Sequence, residues 1–251
     1  MRSVLALLYD IHGNLPALEA VLKEVRAAGV DRIIVGGDLM PGPMPRECLD
    51  LLRAIDLPAS FIRGNGDRET VAAARGTIGA AVPEYFHESI RWNGAQLSSA
   101  DQEAIDAWPL VLRMTIPGMG AVLFCHATPR DDNEIFTVAT ADEKLQPLFD
   151  PLGADLVVCG HTHIQFDRWI GSTRVVNAGS VGMPFDEPGA YWLLLGPLVE
   201  LRKTAYDRDA AAGRIRKSAY PLASEFADKS ILTTPPKQAM INSLSKAELK
   251  S

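Results

Sequence analysis

The sequence predicts an α/β fold in which β-sheets are covered by helices. Three observations carry this expectation. Apolar runs of strand length recur along the chain, amphipathic helical patterns lie between several of them, and five runs end in short polar segments, four of them glycine turns, that carry Asp, Asn or His.

The opening theme is strand, helix, strand. Residues 4–8 form an apolar run too short to cross a membrane, and Asp10 and His12 interrupt it at once. Residues 15–28 then place Leu18, Val21, Leu22 and Val25 on one stripe, with Gly29 as a C-terminal stop. The next strand is 32–35, followed by a helix over 45–55 and a strand over 59–62.

Between residues 68 and 108 the strand rhythm stops and three helices are expected, the last capped by Ser98 or Ser99. Strands are then expected at 110–116, 121–124, 155–159, 174–176, 191–195 and 199–202, with a helix at 141–149. The organisation expected is one domain over 1–206 with a helical insertion at about 68–108, then a C-terminal helix and peripheral tail over 207–251.

At 251 residues and 47% hydrophobic content the chain can bury one sizeable core. A formal net charge of −6 gives no basic footprint for nucleic acid, so a phosphate substrate must be attracted by a local positive site. Three cysteines, Cys48, Cys125 and Cys159, cannot all pair, which fits reduced thiols and a cytoplasmic location.

The chemistry sits in five segments that each follow a strand-like run: Asp10-Ile11-His12-Gly13-Asn14, Gly36-Gly37-Asp38, Gly64-Asn65-Gly66-Asp67, Cys125-His126 and Gly160-His161-Thr162-His163. Ligands of open α/β sheets bind beyond the carboxyl ends of strands, so these loops should converge on one edge. Four of the five histidines fall in them, and His87 alone reads as a packing or surface residue. Taken singly, a Gly-Asp or Gly-Asn is an ordinary turn; taken together, the set is a nitrogen and oxygen ligand inventory for divalent ions. Strand alternation would give Asp10 and His12, and likewise His161 and His163, a shared direction.

This ordered set resembles the calcineurin-like metallophosphoesterase superfamily over about residues 3–204. The segment Asn177-Ala178-Gly179-Ser180 is similar to the Asn-Pro-Gly-Ser stretch of its small bacterial phosphodiesterase branch. The resemblance implies a four-layer α/β/β/α sandwich of two mixed sheets. It also implies two divalent ions (Mn, Fe, Zn or Ni), one held by Asp10, His12, Asp38 and His163, the other by Asp38, Asn65, His126 and His161.

Such ions would generate a bridging hydroxide for in-line attack on phosphorus in a small phosphate ester. Asp38 and Asn65 would serve catalysis as well as metal binding, and Arg68 is a candidate phosphate clamp. The family's usual Gly-Asn-His-Asp motif here reads Gly64-Asn65-Gly66-Asp67, so the histidine that serves the leaving group is missing. Loss of a general acid favours activated phosphodiesters. Asp67 is expected to cap the helix that begins near Arg68.

A phosphodiesterase is therefore expected. A phosphomonoesterase or a nucleotide or protein phosphatase would share these ligands, and a metal-binding interaction module with little catalysis, as in the retromer subunit of this fold, is the non-enzymatic alternative. No membrane segment is expected, and the sequence leaves the oligomeric state open.

Overall fold

A computed structural model describes residues 4–80 and 82–249. It contains two mixed five-stranded sheets. In the first, β1 (Leu5–Leu8) lies at the centre, parallel to β2 (Arg32–Val35), which is parallel to β3 (Ala59–Phe61). The antiparallel strands β9 (Ala190–Leu195) and β10 (Val199–Thr204) complete it in the order β10-β9-β1-β2-β3.

The second sheet runs β4-β5-β6-β8-β7, built from β4 (Val111–Ile116), β5 (Gly120–Cys125), β6 (Leu156–Cys159), β7 (Phe166–Ile170) and β8 (Thr173–Asn177). Its three inner strands, β5, β6 and β8, are parallel.

Strand alternation sorts the apolar side chains into three layers of core. Leu5, Leu7, Ile34, Leu193 and Leu195 of the first sheet meet Val122, Phe124, Leu156, Val158 and Val176 of the second. On the opposite face of the first sheet, Ala6, Leu8, Ile33, Val35 and Trp192 pack on α1 (Leu15–Ala27) and α2 (Pro45–Arg53). On the opposite face of the second, Leu123, Val157 and Val175 pack on Leu145 and Phe149 of α6 (Asp142–Phe149). The result is the expected α/β/β/α sandwich.

Three helices fill the stretch where the strand rhythm stops: α3 (Asn65–Ala74), α4 (His87–Gly94) and α5 (Ser99–Asp106). Ser98 caps α5, its Oγ accepting the Asp101 N–H, while the Asp101 carboxylate accepts the Ser98 N–H at 2.9 Å. His87 holds the carbonyl of Val82 through Nε2 at 2.9 Å, in keeping with a packing role.

Two features depart from the sequence reading. Strand β7, Phe-Asp-Arg-Trp-Ile, lies at a sheet edge with Asp167 and Trp169 exposed, so it shows no apolar run to announce it. The stretch after α7 (Arg208–Arg216), expected to be peripheral, is anchored through α8 (Ala223–Phe226) and the π-turn Ala227–Leu232. Tyr220, Ala223, Phe226, Ala227 and Ile231 join the core beside α1, and α9 (Lys237–Leu244) follows. Their buried positions recur every three or four residues, but the stripe is short, mostly of small side chains and broken by Pro221, so it does not stand out from the polar tail.

Candidate metal centre

The carboxyl ends of β1, β2, β3, β5, β6 and β8 come to one edge, where their loops are tied to each other by main-chain hydrogen bonds. Asp10 N–H donates to the Gly37 carbonyl at 3.1 Å, Gly160 N–H to His126 at 2.8 Å, and Gly182 N–H to Asp10 at 3.0 Å. The two sheets thus share one rim.

Among the described residues, six non-glycine positions have left-handed backbone, and five of them are Asp10, His12, Asp38, His161 and His163. That conformation is unfavourable for side-chain-bearing residues and concentrates where the surrounding structure over-determines it. It also replaces the strand alternation expected for these pairs. Past Leu8 and Cys159 the chain turns, so His161 and His163 diverge into different clusters instead of approaching one ion together. Gly37, at φ +95°, permits the closeness this needs, since a Cβ there would stand 2.5 Å from His126 Nδ1.

Two groups of candidate ligands result: Asp10, His12 and His163, and Asp38, His126 and His161, with the ligand atoms of each group within 4.8 Å of one another. Their outward ring nitrogens are already committed. Nδ1 of His12 lies 3.1 Å from the Pro41 carbonyl, Nδ1 of His126 3.0 Å from Gly36, and Nδ1 of His163 2.7 Å from Met183. A carbonyl only accepts, so each Nδ1 carries a proton, and in its neutral form each ring turns a bare Nε2 inward. His161 is reversed: its Nε2 faces the Asn133 carbonyl at 3.2 Å, which leaves Nδ1 as the bare nitrogen.

The inward atoms include Asp10 Oδ1, a buried carboxylate oxygen without a hydrogen-bond partner, at 3.2 Å from His163 Nε2 and 3.9 Å from Nε2 of both His12 and His126. Acceptors converging on an orphaned acceptor fit a cation, and the mixed imidazole and carboxylate set fits a transition-metal dication.

Burial opposes charge on both Asp38 and His126, yet their proximity outweighs it: Asp38 is held below the usual carboxylate range and His126 is raised to about 10, so the two form an ion pair whose His126 proton a bound ion would displace. Burial and the neighbouring His126 push His161 down to about 4, and burial with His163 lowers His12, so both favour the neutral form that ligates.

Asn65 is the first residue of α3, with Oδ1 3.1 Å from His126 Nε2, which brings it to the second group. Asp67 caps α3 as expected, but the helix begins at Asn65, not near Arg68, and the carboxylate does more than cap. It accepts N–H groups from Gly64 at 3.0 Å, Asp38 at 2.9 Å and Met40 at 3.2 Å, fixing the Asp38 loop to the helix start. Burial and the Asp38 charge push it up to about 7.

The clamp role expected for Arg68 is weakened by its partners. Its guanidinium lines the cavity but is engaged by Asp132 at two 2.9 Å bonds and by Glu69 at 2.6 Å. It is a neutralised fork, not a free cation.

Two residues outside the predicted ligand set frame the centre. Ser180 Oγ donates to the Asp10 carbonyl and accepts from Met183 N–H, both at 2.7 Å, and Met183 in turn holds His163. Asn177 Nδ2 donates to the Gly160 carbonyl at 2.6 Å and contacts Thr162 Oγ1 at 3.1 Å. The glycine-rich strand exit of Asn177–Gly182 was the signal available in the sequence.

Residues 4–195 match the family description "Calcineurin-like phosphoesterase superfamily domain". The chain belongs to this family. A metallophosphoesterase from Sphaerobacter thermophilus is 25% identical, with a TM-score of 0.69 over 90% of this chain and 99% of that one. Hypothetical protein PH1004 from Pyrococcus horikoshii OT3 shares the fold at 20% identity and a TM-score of 0.72, over 90% and 97% of the two chains. Uncharacterized protein MJ0912 of Methanocaldococcus jannaschii is 28% identical over 245 residues, covering 88% of this chain and 95% of that protein. The calcineurin-like match ends at β9, so the C-terminal helices that join the core lie beyond it. No helix among the described residues is long and apolar enough to cross a membrane.

Proposed function

We propose that this chain is a dinuclear, metal-dependent phosphoesterase with a bias toward phosphodiesters. The observation that carries the reading is Asp10 Oδ1, a buried carboxylate oxygen without a hydrogen-bond partner that faces the inward nitrogens of His12, His126 and His163. Asp10, His12, Asp38 and His163 would hold one ion and Asp38, Asn65, His126 and His161 the other, with Asp38 common to both sets. Manganese, iron, zinc and nickel all suit these donors.

When bound, two such ions supply Lewis-acid charge and an activated water for attack on phosphorus. The chain's own residues do the rest. The two aspartates leave net positive charge for a phosphoryl oxygen, and the carbonyls of Pro41, Gly36 and Met183 fix three imidazole tautomers.

The diester bias rests on Gly66. Its N–H donates to Asp38 Oδ1 at 2.7 Å, and a Cβ there would stand 2.4 Å from the Met40 carbonyl oxygen. The main chain thus crowds the place where relatives carry a proton donor. Without it, good aryl leaving groups are favoured over alkoxides that need a proton. The same feature supports the second reading, a metal-binding module with little turnover.

The test is to strip the protein, restore manganese, and compare aryl phosphodiester and aryl phosphomonoester hydrolysis with and without Asp38→Asn. Manganese-dependent diester turnover that the variant abolishes is expected. A protein that loads manganese but turns over neither substrate is the interaction module instead.

A further inference from the structure

The metal centre opens into a cavity of about 760 Å³ whose lining includes His12, Asp38, Asn65, His161 and His163. The same cavity is walled by apolar side chains from two segments remote in sequence. Phe86 and Ile90 come from the helical stretch before β4, and Leu222 and Phe226 from the C-terminal segment beyond the calcineurin-like match.

These segments hold each other. Trp92 and Tyr220 pack edge to face with centroids 5.6 Å apart, Tyr220 and Phe226 pair at 6.3 Å, and the Tyr85 hydroxyl donates to the Glu225 carboxylate. Ile90, Tyr220 and Phe226 are buried, whereas Phe86 is 44% exposed, so an aromatic face is left in water beside the cavity. Covering such a ring with an apolar ligand is favourable, and aromatic pairing adds to it.

A phosphoryl group has no use for this wall, since charge at the metal centre serves it. The charged lining also argues against further phosphates. Arg68 is engaged by Asp132 and Glu69, and Lys229 lies 2.7 Å from Glu225, while Glu69, Asp131 and Glu225 line the same space. A polyphosphate would meet carboxylates and cations already paired with them.

We propose that residues 82–90 and 220–235 form a subsite for a bulky apolar or aromatic ester group, on a substrate with a single phosphoryl group. The proposal rests on the phosphoesterase reading and names its substrate class. The C-terminal segment is then a specificity element, which explains why it packs against the core at this edge.

Calorimetric binding of 1-naphthylphosphonate and methylphosphonate to the manganese-loaded protein tests it, because neither probe is hydrolysed. The expected preference for the naphthyl probe is about tenfold or more. Phe86→Ala, at an exposed position, and Leu222→Ala should each reduce that preference while leaving methylphosphonate affinity unchanged. Equal affinity for both probes, or a preference neither variant alters, overturns the subsite. Hydrolysis of naphthyl phosphate esters, measured alongside, separates the two claims: preference without turnover keeps the subsite and sinks the enzyme reading, and turnover with equal probe affinity does the reverse.

Discussion

Nε2 of His12 lies 3.2 Å from Nε2 of His163, although the opposite nitrogen of each ring is held by a main-chain carbonyl. Two rings arranged this way confront each other with lone pairs, a contact that is repulsive unless a cation is shared between them. The carbonyls that create it, Pro41 and Met183, belong to loops following β2 and β8, so both sheets contribute to the confrontation.

The Met183 side of this arrangement depends on Ser180. Ser180→Ala removes the 2.7 Å bonds to the Asp10 carbonyl and from the Met183 N–H. Metal affinity should fall about 10- to 100-fold, as is typical when ligand-orienting partners are lost. Manganese titration by calorimetry measures this. Unchanged affinity would show that the loop holds its shape without the hydroxyl.

Gly66 cannot simply be restored to the family histidine. A Cβ at this position meets Met40 O at 2.4 Å, Pro41 Cδ at 2.9 Å and Asp38 Oδ1 at 3.0 Å. Gly66→Ala should cost about 1–3 kcal/mol of stability. Denaturant unfolding of the metal-free protein checks it, and a neutral substitution would mean the Met40–Pro41 turn yields freely.

The leaving-group dependence of the wild-type protein follows from the same residue. Across a series of phosphodiesters, rates should fall steeply as the leaving-group pKa rises, with alkyl esters about 10²- to 10⁴-fold behind what a general acid would give. A shallow dependence would reveal a proton donor elsewhere in the cavity.

Asp101 makes a prediction independent of the metal. Burial works against its charge, but the Ser98 cap and the Arg53 and Arg46 guanidiniums hold its carboxyl below the usual range. A depressed folded-state pKa contributes stability that is fully present above the unfolded value near ~3.9 and declines progressively below it, until pH has fallen through the lower folded-state value. Asp101→Asn should therefore cost about 2 kcal/mol at neutral pH and flatten the acid limb of the stability profile. Urea unfolding at pH 7 and pH 3 would read the two contributions, and equal costs at both would contradict this assignment.

The sandwich was legible because its inner strands are buried on both faces and appear as unbroken apolar runs, as in Leu5–Leu8 and Leu156–Cys159. The candidate ligands were legible because each follows a strand-like run, although the one before Asn65, β3, contains Ser60 and is only half-buried. What the sequence concealed depends on contacts across long separations. The crowding at Gly66 comes from the main chain at Met40, and the engagement of Arg68 comes from Asp132, 64 residues away. The anchoring of Tyr220 and Phe226 was missed for a different reason: Tyr220, Ala223, Ala227 and Ile231 do recur at three- and four-residue spacing, but the stripe is short, broken by Pro221 and followed by the Thr233-Thr234-Pro235-Pro236 run, so it reads as tail.

On the proposed function, the carboxylates and imidazoles at this edge bind a pair of ions. Elemental analysis of the protein after manganese loading and exhaustive dialysis tests it most directly. Two equivalents per chain are predicted, whereas one or none would contradict a dinuclear centre.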